Sequence, residues 1–513
     1  MANMKHNRKH HAKNTRKLAL FAGAAALAAL VPQTRAQSTD DSLISKLEQK
    51  GILTADEAKA LRAESAADQT NMINQLPASK WKITDSIKSI GLYGDFRLRY
   101  EYRGVKNPTP GGKTQTGATG NTYPRERFRY AFRIGLRGDL YDDWSYGLRV
   151  ETSSNARSPW DTFGSNGNSG QVSPSDKNTS GLYLGQAFLN WHPADWIEMT
   201  AGRMPMPLYT TPMVWDSDIN PEGVFEKFKY SVGNVDLFAD FAQFDYQNPT
   251  PGLSSPSGDT FLLAWQLGGV VKFDNGMSFK AAPVVYNYSG SGTSTGVDGL
   301  NSPFVGQGNA SGLNQVNGTY AYNQVGINDL LILEIPAEFD FKIHQSPFGA
   351  LQGRLFGDFA YNFKGNDRAA AAYQAAPAAF STSGPVTGQD IAYQAGIGIG
   401  SAGPVYGPTQ GLVYGSTSKK NTWEARMYWQ YIEQYALDVN MIDSDFFEGR
   451  GNLEGVYAAF AYSFTDAIIG TLRYGYATPI DSNLGTGGSN LDTPGINPIK
   501  DYNLVQMDLT WRF

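Results

Sequence analysis

Asp216, Asp218 and Glu222 share one short segment with Tyr209 and Trp215, while Arg97, Arg99, Arg127, Arg129, Arg133, Arg137 and Arg149 recur at even spacings along three other segments. Side chains two apart lie on one face of an extended chain, so the arginines form guanidinium ladders. Carboxylates set opposite such a ladder across a narrow watery gap make a transverse field, which orders water and favours polar or charged solutes over apolar ones. A plainer reading is mutual neutralisation: Asp95, Glu101 and Glu151 lie close by in sequence, and ion pairs with them would stiffen a wall. Glu334, Glu338, Asp358, Glu424 and Asp508 share the parity of the arginines later in the chain, so charge count alone sets no ion preference.

Other chemistries find little support. Asp216-Ser217-Asp218-Ile219-Asn220 has the alternating oxygens that open a calcium loop, but Pro221 stands where that loop needs glycine and Lys227 where it needs a bidentate acid, so no metal is expected. Asp443 and Asp445 repeat the Asp-Ser-Asp spacing in another loop, where a solvated turn is the expected role. Cysteine is absent, which excludes disulfides and thiolate metal sites. An activated serine or water usually calls on a histidine base; only His192 and His344 lie outside the N-terminal segment, both at short turns. No catalytic residue and no cofactor is expected.

The elements that must position these groups are strands. Along Asn503 to Phe513, Val505, Met507, Leu509, Trp511 and Phe513 alternate with Gln506, Asp508, Thr510 and Arg512, giving one greasy and one wet face. Aromatic residues at the end of such a strand suit a membrane–water boundary, and Trp511 with a final Phe513 resembles the assembly signal of bacterial outer-membrane barrels. Similar alternation marks Leu92 to Tyr102, Arg127 to Arg137, Val235 to Phe241, Phe261 to Val271, Trp423 to Tyr431 and Ile468 to Tyr476. Short joints alternate with long segments rich in Gly, Ser, Asn and Pro, among them Met204 to Glu222 and Gln434 to Asn452. That rhythm fits an antiparallel up-and-down transmembrane β-barrel of about sixteen strands, with fourteen or eighteen also compatible. Two features sit awkwardly in it. Ser401 to Lys420 would be a long turn among short ones, and Pro283 and Pro336 interrupt strands where a missing N–H breaks a ladder bond.

Residues 1–36 join seven basic residues and no acid to an apolar run from Leu18 to Val31 that is too short to span a bilayer, the pattern of a secretory signal peptide. Its removal takes the net charge from −5 to −12, which makes nucleic acid an improbable partner. Residues 37–80 read as a short helical hairpin and linker, in which Gly51 stops one turn and Thr54 with Glu57 caps the next. Residues 81–513 are the expected barrel. Charged residues make up 18% of the chain, below the roughly 25% of soluble domains, as expected of a wall with lipid on one side.

Gly202-Arg203-Met204-Pro205, continuing through Val214-Trp215-Asp216-Ser217-Asp218-Ile219-Asn220-Pro221-Glu222-Gly223, resembles the signature segment of the putative porin family. So do Tyr431-Ile432-Glu433, Asp443-Ser444-Asp445-Phe446 and the return into Leu453-Glu454-Gly455. Gly51-Ile52-Leu53-Thr54 with Asp56-Glu57-Ala58 resembles the helical leader of the same group, whereas the long turn near residue 410 departs from it. The resemblance implies a bacterial outer-membrane barrel that passes small hydrophilic solutes and ions, a homotrimer embedded in lipid and delivered by the barrel-assembly machinery, with the hairpin in the periplasm. Met204 to Glu222 would join strands five and six, the place of the inward-folded constriction loop in sixteen-stranded porins. Asp216, Asp218, Glu222, Tyr209 and Trp215 would then narrow the pore opposite the arginine ladder. The rival expectation is a surface adhesin or scaffold barrel without an open pore.

Overall fold

A strand with one apolar and one polar face is stable when the first meets lipid and the second meets water or other protein, and closing the sheet removes its edges. In the computed structural model the described residues are 86–106, 122–153, 158–164, 181–247, 260–274, 276–290, 313–316, 319–322, 330–344, 346–347, 349–375, 387–401, 419–482, 484–486 and 499–513, with Lys50 and Thr54. The expected signal peptide and, apart from those two residues, the helical hairpin lie outside the described residues. Contacts divide the chain into a small unit, Met1–Leu92 with Leu136–Tyr141, and a large one, Tyr93–Gly135 with Asp142–Phe513. Within the small unit Ile87 bridges Leu140, and Ser89 Oγ donates to Asp139 at 2.8 Å.

Sixteen strands form a closed antiparallel barrel. The first eight are β1 Gly91–Lys106, β2 Thr122–Asp139, β3 Trp144–Ser153, β4 Gly181–Ala194, β5 Ile197–Arg203, β6 Glu222–Val232, β7 Val235–Gln247 and β8 Thr260–Lys272. Two broken strands follow, β9 (Ser278–Ala281 and Val284–Ser289) and β10 (Leu331–Glu334 and Ala337–Ile343). The last six are β11 Leu351–Asn362, β12 Ile391–Gly400, β13 Trp423–Ile432, β14 Leu453–Ser463, β15 Ile468–Pro479 and β16 Asp501–Arg512. Closure pairs β16 with β1 from Asp95 opposite Arg512 to Lys106 opposite Asp501. Phe513 extends that ladder by exchanging backbone hydrogen bonds with Gly94.

Alternation sets the faces. Leu98, Phe128, Leu237, Trp265, Met427 and Leu509 are exposed on the outside. Trp144 with Trp191, Trp196 with Phe228, and Trp423 with Phe460 stack near the short joints, as a lipid-boundary girdle requires. Inward parity carries Arg99, Glu101, Glu424, Gln506 and Asp508, all buried. The hydrophobic core also lies inside the barrel, where Met204, Met206, Leu208 and Met213 pack with Phe225, Phe244, Leu262 and Val284. The long turn between β12 and β13 remains in the topology, with 402–418 outside the described residues.

Pro283 and Pro336 mark true breaks, and the register brings them abreast: Ala281 faces Ala337 on one side of the gap and Val284 faces Glu334 on the other. Ala282 N–H donates to Pro336 O at 3.1 Å, but proline has no N–H with which to return the bond. The Ala282 carbonyl is instead met by Gln266 Nε2 from β8 at 3.0 Å. Ladder bonds continue on the outer flanks, from Leu267 N to Pro283 O and from Ile335 N to Phe359 O.

Strand β5 has only 7 residues. Its last residue, Arg203, faces Ala187, so Gly181 to Gln186 of β4 rise beyond it, with Arg203 Nη1 covering the Leu184 carbonyl at 3.2 Å. There the chain leaves the wall between two facing glycines, Gly202 at φ 117° and Gly223 at φ 151°. A Cβ at Gly202 would stand 2.3 Å from Ala187 O, so both the backbone and the space demand glycine. Gly202→Ala should cost about 1–3 kcal/mol, read as a lower temperature for loss of the compact form on unboiled gels. An unchanged transition would mean that the chain does not turn inward at this pair.

Candidate functional site

The first inner loop, residues 204–221, is built to leave water. Pro205, Pro207, Pro212 and Pro221 reduce the number of N–H groups that need partners. Met204 N closes the neck on Pro221 O at 3.0 Å, and Val214 and Trp215 donate to Thr211 O within a turn. Tyr209 is clamped by Gln266, which accepts from its N–H and donates to its carbonyl, both at 2.8 Å. Thr210 donates to Glu334 of β10 at 2.7 Å, and Thr211 donates to Asp358 of β11. The Lys280 ammonium of β9 sits 3.4 Å from the Tyr209 ring centre. Each buried Met, Leu or Trp contributes about 1.5–3 kcal/mol against about 1 kcal/mol per hydrogen bond, so packing holds the loop in and the polar contacts fix its height.

A second inner loop, residues 433–452, enters between β13 and β14. Tyr246 and Tyr288 donate to Asp438 at 2.8 and 3.0 Å, and Phe446 packs among Phe447, Tyr428 and Tyr457. The two loops are bonded to one another. Asp216 N donates to Met441 O at 2.5 Å and Asp443 N to Pro212 O at 3.0 Å. Ser444 donates to Asp216 Oδ2 through N at 3.1 Å and Oγ at 3.0 Å. The two Asp-Ser-Asp segments thus clasp each other inside the barrel.

Their remaining carboxylates face the arginines of β1, β2 and β15. Asp445 accepts from Arg99 Nη1 at 2.7 Å and from Gln506 at 3.0 Å, while Arg99 Nε reaches Asp508 at 2.7 Å. Arg473 also pairs with Asp508. Asp218 Oδ1 lies 3.6 Å from Arg133, which shares Asp95 with Arg97. Deeper in the wall, Glu101 gathers Arg103 at 3.0 Å, Arg127, and Arg129 at 3.7 Å, and Arg149 meets Glu151 at 2.8 Å. Burial and the neighbouring Asp218 and Asp443 raise the Asp216 carboxyl. Burial and Asp445 push Asp443 up to about 7. Burial acts the same way on Asp445, but Arg99, Arg103 and Arg473 overcome it and hold that group at about 2.

Of the residues singled out from sequence, Asp218, Arg97, Arg99 and Arg133 meet in this network. Asp216 is buried and occupied by Ser444. Glu222 begins β6 on the outer side, largely exposed and paired with Arg203 at 3.4 Å. Tyr209 is buried beneath Lys280, and Trp215 packs on Phe244 with its indole N–H on Ile219 O at 2.9 Å. Arg127, Arg129 and Arg149 form wall ion pairs, as the plainer reading expects, and Arg137 belongs to the small unit. Trp511 stands exposed on the girdle, and Phe513 stacks on Phe132. Sequence reasoning passed over Asp445, read as a solvated turn, together with Gln266, Arg473 and Trp160, whose ring lies 4.0 Å below the Arg99 guanidinium. The repeated Asp-Ser-Asp was the available signal for the second loop.

A profile of the family described as putative porin matches residues 72–513. Solved structures of similar course include an anion-selective porin from Comamonas acidovorans, with TM-score 0.38 and 11% identity over 83% of this chain and 99% of that one. Others are OmpT, an outer membrane protein of Vibrio cholerae, with TM-score 0.37 and 10% identity over 84% and 100%, and a mutant porin of Rh. blastica with TM-score 0.35 and 10% identity over 83% and 100%. No curated protein matches the chain by sequence.

Because its raised carboxyl keeps a proton in the folded state, Asp443 favours loop docking fully below the ordinary carboxylate range and loses that contribution as pH rises through about 7. Proteolysis within 433–452 is therefore expected to be faster at pH 8 than at pH 5, and Asp443→Asn should flatten the difference. Equal cleavage at both pH values in the parent protein would contradict this linkage.

Proposed function

The chain belongs to the putative porin family, and from that premise we propose that it is an outer-membrane porin. Small hydrophilic solutes and ions diffuse passively through the barrel, which the first inner loop narrows together with the second. The observation that carries this reading is the meeting of loop acids with wall arginines in a zone that water still reaches. There Asp218 retains 17% and Asp445 28% of its side-chain exposure, opposite Arg133 and Arg473 at 12% and 16%. A sixteen-stranded barrel is wide enough for an aqueous path, and charge at its narrowest place decides which solutes pass.

The remaining assignments follow the same reading. The protein is a channel and not an enzyme. His192 and His344 lie at or beside short joints, at the barrel end opposite the long loops, away from any external active site. It assembles as a homotrimer in outer-membrane lipid. The barrel-assembly machinery recognises the strand that ends in Trp511 and Phe513, and the segment before the barrel stays in the periplasm after the signal peptide is removed. A scaffold without a pore is not favoured, because it has no need for charged groups kept partly wet within its interior.

Single-channel recording of the refolded protein in a planar bilayer tests the reading. Ohmic steps are expected, and Asp218→Asn/Asp445→Asn should shift the reversal potential under a salt gradient. Silence from a correctly folded barrel would sink the porin reading. Steps indifferent to the double variant would move the narrow place elsewhere.

A further inference from the structure

The sequence leaves ion preference undecided, with acids on every side of the interior and a negative total charge. The inner loops divide those charges unequally between protein and water. Resting on the porin reading above, we propose that the open gap is positive and selects small anions, with carboxylates the favoured organic class.

In one half of the wall, the acids above the short-joint mouth are sealed. Asp240, Glu334 and Glu424 are fully buried, and Glu338 and Asp358 are nearly so. Glu334 and Asp358 lie directly under the first inner loop, receiving the Thr210 and Thr211 hydroxyls, and Tyr286 donates to Glu334 at 2.7 Å. Asp240 is held by Lys227 at 3.3 Å, and Glu338 by Arg354 at 2.5 Å. A passing ion responds chiefly to charges within about 8–10 Å through water; Glu334 and Asp358 lie behind the loop, Asp240 and Glu338 are paired with a base, and Glu424 is wholly buried in the wall.

The opposite half stays wet. Arg97 keeps 25% of its side-chain exposure, Arg473 16%, Arg133 and Arg149 12%, and Arg129 11%. Arg512, opposite Asp95 in the closing register, is also partly exposed on the inward parity. Asp95, Glu151, Asp218 and Asp445 are the partly exposed acids among them. Among the described residues, six partly exposed guanidinium groups against four partly exposed carboxylates leave the gap positive. Toward the short-joint mouth, exposed Glu198 is matched by Lys229, while Asp340, 34% exposed, shares Arg354 with Glu338, so one further carboxylate stands against an excess of two guanidinium groups and does not reverse the balance. A guanidinium presents two parallel N–H donors to a carboxylate, which makes planar carboxylates the organic anions best suited to step along the arginines.

Reversal potentials of the refolded full chain, first in a potassium chloride gradient and then with potassium acetate against potassium chloride, decide the matter. The unmutated protein should pass anions over potassium by about threefold or more, with acetate conducting measurably. Arg97→Gln/Arg149→Gln should cut that ratio by at least about half, and Asp218→Asn should raise it. Glu424→Gln, at a sealed acid, should leave it unchanged. A cation-selective parent channel would overturn the proposal while leaving the porin reading standing. So would a Glu424→Gln shift as large as that of the arginine pair, since the acids would not then be sealed. A folded barrel that never conducts would remove both.

Discussion

A peptide group carried into the interior of a barrel loses the water that satisfied it, and the whole interior arrangement depends on replacing that water. Four prolines in the first inner loop lower the number of donors to satisfy. The wall supplies the rest by an indirect route. Pro336 cannot return the hydrogen bond that Ala282 gives it, Gln266 takes up the stranded Ala282 carbonyl, and the same amide holds both polar atoms of the Tyr209 backbone. A defect in the sheet is thereby converted into the anchor of the loop. Gly202 and Gly223 complete the constraint by letting the chain leave and rejoin the wall at one height.

The two inner loops depend on one another in a way that neither shows alone. Asp216 is surrounded by donors from its own loop and from Ser444, so its carboxylate is a tie between segments and is not presented to the gap. Removing it would leave three N–H or O–H groups seeking partners in a dry place, each at a cost of about 1–3 kcal/mol. The acids that do reach water, Asp218 and Asp445, are held by this tie at a fixed distance from the arginines. Loop packing, loop coupling and the placing of Asp218 and Asp445 beside the wall arginines are thus successive consequences of one clasp.

Much of this was legible in the sequence, for a physical reason. Strand period two survives any tertiary context that keeps one face in lipid, so β1, β2, β8, β13 and β16 could be traced and the closing strand recognised. The prolines announced their breaks, though not that the breaks would lie side by side. Parity ends where strands end. Nothing local distinguishes Asp216 from Asp218, or tells a solvated Asp443 and Asp445 from a pair enclosed by a loop more than two hundred residues earlier. Burial of Glu334 and Asp358 is likewise a product of where the first loop comes to rest, which is why a count of acids sets no ion preference. The expected signal peptide and, apart from Lys50 and Thr54, the expected helical hairpin lie outside the described residues.

The shortness of β5 reaches beyond the protein. Seven strand residues at about 3.3 Å each, tilted by roughly 40°, stand only about 18 Å tall, against an apolar band of about 25 Å on the walls of such barrels. In the outer-membrane setting proposed above, acyl chains beside this low stretch would meet polar backbone before they reach the headgroup plane, and hydrophobic mismatch of several ångströms would penalise a leaflet of full thickness. The membrane has to dip there or yield the position to another protein surface. Among the described strands, that makes the notch above β5 the place where lateral association in the plane of the bilayer would relieve the greatest elastic strain.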